Sequence, residues 1–238
     1  MGAAGAGLAE KDVNLHIARK LKALLERDGM RVVLTREGDH RAVPPPGFEP
    51  PPDWRDTRKD LQARIDIANL AGADVFLSIH NNGSPNPGER GTEVWWDGRR
   101  PFAAYNRALA ALVLEELLRH IRAAGYPTIS RGLKEDTTFR VWQGRAFPIF
   151  VLGPPRTGAV TTRATQMPAV LGESLFLSNP AEAAQLAREE VLDAIASGYH
   201  AALTRYFRLI EDSVLTLPPE GLPPESPNHD DILGSPPR

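Results

Sequence analysis

The chain has 238 residues, a formal net charge of -2, no cysteine, and ordinary apolar (42%) and charged (24%) shares. That length can bury a core, and the charge excludes a generic nucleic-acid binder held by counterion release. The absent thiols exclude disulfides, thiolate metal sites and cysteine nucleophiles, and no apolar stretch is long enough to span a membrane.

The first eight residues are uncharged, Gly/Ala-rich and too short for the apolar region of a signal peptide. Val13, Ile17, Leu21 and Leu24 recur at helical spacing, which predicts an amphipathic helix over about 10–28 with Gly29 as its stop. An α/β domain more often opens on a strand, so the expectation is that a first strand is missing. Residues 31–35 read as a strand. Two Pro triplets then bracket Gly47 and Phe48 and predict an exposed polyproline-like loop over about 43–53.

Leu61, Ile65 and Ala68 return to helical spacing, and 75–79 reads as a buried strand ending at His80 and leaving through Asn81, Asn82 and Gly83. Residues 92–96 predict another strand, 102–124 a long helix, and 139–142 and 147–152 two short strands. The span 153–166 is polar, carries Pro154 and Pro155, and reads as a long loop within an insertion over about 145–167. Ala169, Val170 and Leu171 form a buried-strand pattern ending at Gly172 and Glu173, and a last helix runs from 180 to about 206. Alternating helices and strands of this kind predict an α/β single domain over 1–207, its central mostly parallel sheet flanked by helices on both faces. The Pro-rich residues 208–238 are expected to be a disordered tail.

Ligands in such sheets gather at the carboxyl ends of strands. His80 and Glu173 both stand at predicted strand ends, and Glu10 in the first turn of the first helix. Carboxylate with imidazole suits Zn²⁺, and a carboxyl group that follows an apolar run is suited to acid–base work because desolvation raises its pKa. Each residue also has an ordinary reading. A histidine can simply cap a strand, an acidic residue in a first turn favours the helix dipole, and a strand-end carboxylate often pairs with an arginine.

The wording around them narrows the choice. Glu10-Lys11-Asp12-Val13-Asn14, Leu34-Thr35-Arg36 with Asp39, Arg64 with Ala68-Asn69, and Ser78-Ile79-His80-Asn81-Asn82 occur in order. Gly91-Thr92-Glu93-Val94, Arg131-Gly132-Leu133-Lys134 and the run from Met167 to Asn179 complete the series. Together they resemble the zinc-dependent N-acetylmuramoyl-L-alanine amidases of the amidase_3 family, across about 2–206. The resemblance implies cleavage of the amide between N-acetylmuramic acid and the L-alanine of the stem peptide by zinc-activated water. It implies Glu10 and His80 as zinc ligands and Glu173 as general base and acid. Asn82, in the expected loop beside the metal ligand, is placed to contact the glycan or peptide. It further implies peptidoglycan or muropeptides as partners, no nucleic acid, an unspecified regulatory partner, and action outside the cytoplasm.

The family opens on a strand running into Asp-Pro-Gly-His-Gly-Gly, whose histidine is the first zinc ligand, and none of the six histidines here replaces it by motif. His16 is expected on the helix surface, facing away from Glu10. With Glu10 and His80 alone, zinc affinity and activity of the chain as written are expected to be low. A degenerate homologue that binds cell-wall fragments without cutting them is the alternative, and a metallopeptidase-like hydrolase of another amide a third reading. The long segment before Pro168 is expected to act as a lid over the site.

Overall fold

The first helix forms where its apolar residues recur. In a computed structural model of the chain, which describes residues 4, 5, 7–136, 140, 141, 145, 146, 148–156 and 162–212, α1 (Glu10–Arg27) buries Val13, Ile17, Leu21 and Leu25 on one face. It stops at Gly29, whose φ of 85° is the left-handed conformation a glycine adopts freely. A minimal antiparallel hairpin, β1 (Ala4–Gly5) with β2 (Leu8–Ala9), precedes it. Next come α2 (Asp56–Leu70), β3 (Phe76–Asn82), β4 (Thr92–Trp96), α3 (Ala103–Ala123) and β5 (Ser130–Glu135). A second two-residue ladder joins β6 (Arg140–Val141) to β7 (Arg145–Ala146), and β8 (Ala169–Phe176), α4 (Pro180–Leu186) and α5 (Glu189–Glu211) follow.

The central sheet has four strands in the order β3-β8-β4-β5. β3 runs parallel to β8 and β4 parallel to β5, while the middle pair, β4 and β8, is antiparallel. The α/β expectation holds, mostly parallel pairing included. Alternation along the strands sends side chains to two cores. Val94 and Val170 meet α1, α3 and α5 in the larger one, and Phe76, Ala169 and Leu171 meet Ile65 and Ala68 of α2 in the smaller. α3 and α5 cross closely at Gly198, where a Cβ would lie 3.1 Å from Glu116 O and from the Leu117 Cα. Asn179 caps α4 by accepting from Ala181 N and Glu182 N, with Pro180 at the first turn.

Several expectations change. Residues 31–35 form no strand and pair with none of the described strands. Val33 consequently stays 47% exposed. β8 continues past Glu173 to Phe176, so this carboxylate sits inside a strand and not at its end. The last helix is two helices, broken at Ala187–Arg188, and the second reaches Glu211, beyond the expected boundary at 207. The expected strand over 147–152 is not one: residues 148–152 are irregular or turn, and 147 lies outside the described residues. Of the strand expected over 139–142, Arg140 and Val141 form β6, while 139 and 142 lie outside the described residues. The tail expected over 208–238 begins as the end of α5, and its residues 213–238 lie outside the described residues. The motif at 131–134 belongs to β5.

The Pro-rich loop is pinned instead of free. Arg163 forms a two-pronged pair with the buried Asp66, its Nε and Nη2 each 2.6 Å from a carboxylate oxygen. The same guanidinium lies 5.3 Å from the Phe48 ring centre and donates to Phe48 O at 3.3 Å. One arginine thereby joins α2, the Pro-rich loop and the insertion. Arg100, 4% exposed, donates to Thr165 O, and at 3.4 Å to Gly153 O, which brings both ends of the long loop to the carboxyl end of β4. Val151, Leu152 and Met167 pack in the smaller core. Residues 151–153 and 165–167 therefore gather at the amino end of β8, away from Glu173; the rest of the segment expected to act as a lid lies partly outside the described residues.

Candidate active site

β3 and β8 run in parallel with His80 opposite Glu173, and β4 runs antiparallel with Glu93 opposite the same Glu173. Neighbouring strands are about 4.8 Å apart, so an imidazole and two carboxylates are set side by side on three adjacent strands. Gly172 and Ser174 face Tyr199 of α5. The pleat therefore turns Glu173 to the opposite face, the one covered by α2.

Glu10 comes from α1. Its Oε1 lies 2.7 Å from His80 Nδ1 and accepts from Asn14 Nδ2 at 3.2 Å. Asn14 in turn accepts from Asn81 Nδ2 at 2.8 Å, so the residue before Asn82 locks β3 to the helix that carries Glu10. Burial lowers the proton affinity of the His80 ring, but 40% of that side chain stays open. Its hydrogen bond to Glu10 and the fields of Glu173 and Glu10 prevail, leaving its pKa raised.

Glu173 is pushed up to about 8, first by burial, against the pull of His80, and then by the negative fields of Glu10 and Glu93. Its Oε2 is shut away from water and has no hydrogen-bond partner. Among the described residues, no arginine pairs with this carboxylate. A carboxyl group that holds a proton near neutral pH, beside an imidazole, is suited to taking and returning one.

The sequence reading of Glu93 as part of a motif gave it no role. Its carboxylate accepts from Asn82 Nδ2 at 3.0 Å, Trp95 Nε1 at 3.1 Å and Arg131 Nε at 2.7 Å. Asn82 also accepts from Gly83 N at 2.8 Å, so the side chain expected to meet substrate spends its amide on holding Glu93 and its own turn. Below the site, Glu182 accepts from Gly91 N at 2.9 Å and Phe176 N, fixing the ends of β4 and β8. Gly91 has φ 108°, and a Cβ there would lie 2.7 Å from Ile129 O.

Glu10 and His80 suit zinc in donor type and already touch, yet they fall short of the protein ligands of a catalytic zinc. Among the described residues no group of three or more His, Cys, Asp or Glu is arranged to hold a metal. The remaining described histidines stand elsewhere. His16 pairs with Glu189 at 3.1 Å and His200 with Asp28 at 2.6 Å. His120 sits against Glu116, and His40 is on an exposed loop.

The profile of the Amidase_3 family, N-acetylmuramoyl-L-alanine amidase, matches residues 1–205. The germination-specific N-acetylmuramoyl-L-alanine amidase of Bacillus subtilis is 29% identical over 208 residues, 87% of this chain and 74% of that protein. The amidase LytC of the same organism is also 29% identical, over 87% of this chain, though this chain spans only 33% of LytC. Among solved structures, the amidase AmiC2 of Nostoc punctiforme superposes with a TM-score of 0.62 at 26% identity, covering 87% of this chain and 89% of that one. With the family matched over residues 1–205, the chain belongs to the Amidase_3 family of N-acetylmuramoyl-L-alanine amidases.

Proposed function

We propose that this chain hydrolyses the amide joining N-acetylmuramic acid to L-alanine in peptidoglycan or its fragments, with Glu173 as the proton carrier. The observation that carries this reading is Glu173 itself, a carboxyl group with an unpartnered buried oxygen, opposite His80 and holding its proton near neutral pH. Glu10 and His80 are the described residues that would hold a zinc ion. When bound, such an ion polarises a carbonyl and lowers the pKa of water. Glu173 accepts a proton from the attacking water as the oxygen bonds to the carbonyl carbon. It then returns that proton to the alanine nitrogen as the C–N bond breaks, leaving a lactyl carboxylate and a free amine. Asn82 supports the reaction by holding Glu93 beside Glu173. A cell-wall substrate places this work outside the cytoplasm.

The donor shortfall favours one alternative, a homologue that binds muropeptides without cutting them. Purified sacculi incubated with the chain and added zinc, followed by analysis of released fragments, decide between the two. New amino-terminal alanine that disappears in Glu173→Gln supports hydrolysis. Fragment binding without new amines supports the alternative, and release of other amines points to a different bond.

A further inference from the structure

Arg36 and Arg64 stand in two of the motifs noted in the sequence, and proton transfer at Glu173 uses neither. Arg36 Nη2 donates to the carbonyl of Lys11, the residue after Glu10, and Nη1 donates to Gly38 O at 2.9 Å. Arg64 Nη1 donates at 2.8 Å to Thr35 Oγ1, on the residue before Arg36. The Nε and Nη2 of Arg64 reach the Asp60 oxygens at 3.2 and 3.1 Å. Arg36 is thereby tied to the residue after Glu10, and Arg64 to the residue before Arg36. Each feels the surroundings accordingly: burial and then Arg64 lower the pKa of Arg36, and the Arg64 charge is also felt at His80.

Arg36 differs from its neighbour in what holds it. Both of its acceptors are neutral carbonyls, and among the described residues no carboxylate reaches it as an ion pair. The carboxylates nearby are otherwise engaged or remote: Asp39 pairs with Lys11, and Asp60 pairs with Arg64 and accepts from Ala42 N. Asp12 is exposed on α1 and bonds to neither arginine. A guanidinium carries more N–H donors than two carbonyls use. Here those carbonyls fix its plane, and a planar fork of that kind recognises carboxylates in two-pronged fashion.

We propose that Arg36, aligned by the Lys11 and Gly38 carbonyls and backed by Arg64, is a subsite for a free carboxylate on the peptide side of the scissile amide. It takes an acidic residue that follows the alanine and draws the bond toward Glu10, His80 and Glu173. This inference rests on the amidase reading and names the substrate feature it selects.

The test uses two synthetic N-acetylmuramoyl dipeptides, identical except that the residue after alanine bears a carboxylate in one and a carboxamide in the other. The full chain with zinc should cleave the acid with a kcat/KM about tenfold or more above the amide, as loss of a charge-assisted contact requires. Arg36→Met should bring the two to within about twofold, with Arg36→Lys between. Calorimetric binding of both compounds to the full chain should show the same ratio. A chain that cuts neither compound would defeat the amidase reading while binding still decided the subsite. Because Arg36 also ties residues 36–38 to α1, thermal unfolding accompanies each variant, and the wild-type ratio stands even if Arg36→Met fails to fold. Equal handling of acid and amide by the wild type, in both cleavage and binding, overturns the proposal. So does a folded Arg36→Met that weakens both compounds alike.

Discussion

Replacing Glu173 with glutamine should make the metal-free protein more stable, by an amount that grows with pH. The folded chain holds this carboxyl group's proton up to about pH 8, whereas the unfolded chain releases it near the ordinary value of 4.5. Between those two values the native state binds more protons than the unfolded state, so each rise in pH favours unfolding. A pKa unit is worth about 1.4 kcal/mol, so at pH 7 the burden reaches as much as about 3 kcal/mol. Glutamine keeps the shape and cannot ionise. It leaves a polar atom unpaired beside the strand as glutamate does, so that penalty cancels. Urea unfolding of both proteins in chelator, from pH 4.5 to 8, reads the difference. No gain at pH 4.5, rising to about 3 kcal/mol by neutral pH, is the expected course. A gain that does not change with pH, or no gain at pH 8, would show that Glu173 is not held protonated by its surroundings. Loss of amidase activity alongside a gain in stability is the usual trade at a site strained for function.

Three further outcomes follow from the packing and the donor set. Gly172→Ala places a methyl 2.3 Å from Tyr199 Oη, so it should destabilise by about 1–3 kcal/mol, and Tyr199→Phe should recover part of that in the double variant by thermal unfolding. Arg163→Ala strands the buried Asp66, which should lower stability by about 3 kcal/mol, and should open the Pro-rich loop near Phe48 to limited proteolysis. The chain as written should bind zinc weakly, and His80→Ala should abolish what binding there is. Metal titration with a competing chelator checks this, and one tightly held ion per chain would refute it.

The parts of the fold that were legible in the sequence are those governed by local pattern. α1, α2, β4 and α3 emerge where apolar residues repeat at the right period, and Glu10, His80 and Glu173, singled out by the order of their motifs, stand near one another in the fold. Sheet order was not legible, because it depends on which strand finds which neighbour. Glu93 became visible as a partner of Glu173 only once β4 proved to run antiparallel beside β8. Residues 31–35 have strand-forming side chains, yet a strand also needs a ladder to join, and none of the described strands pairs with them. Glu173 looked like a strand end because Gly172 interrupts the apolar run. The glycine is there because the Tyr199 hydroxyl presses against the backbone, donating to Gly172 O at 3.2 Å. The break between α4 and α5 carries no Pro or Gly to announce it.

The two ends of the central sheet have been given different tasks. His80 and Glu173 lie at one end, while Arg100, Arg163 and the tethered Pro-rich loop lie at the other. Sequence added or removed beside Gly153 or Thr165 therefore alters a surface away from the reacting groups. Lineages can remodel that far rim, its length and its charge, while the hydrolytic machinery keeps its geometry.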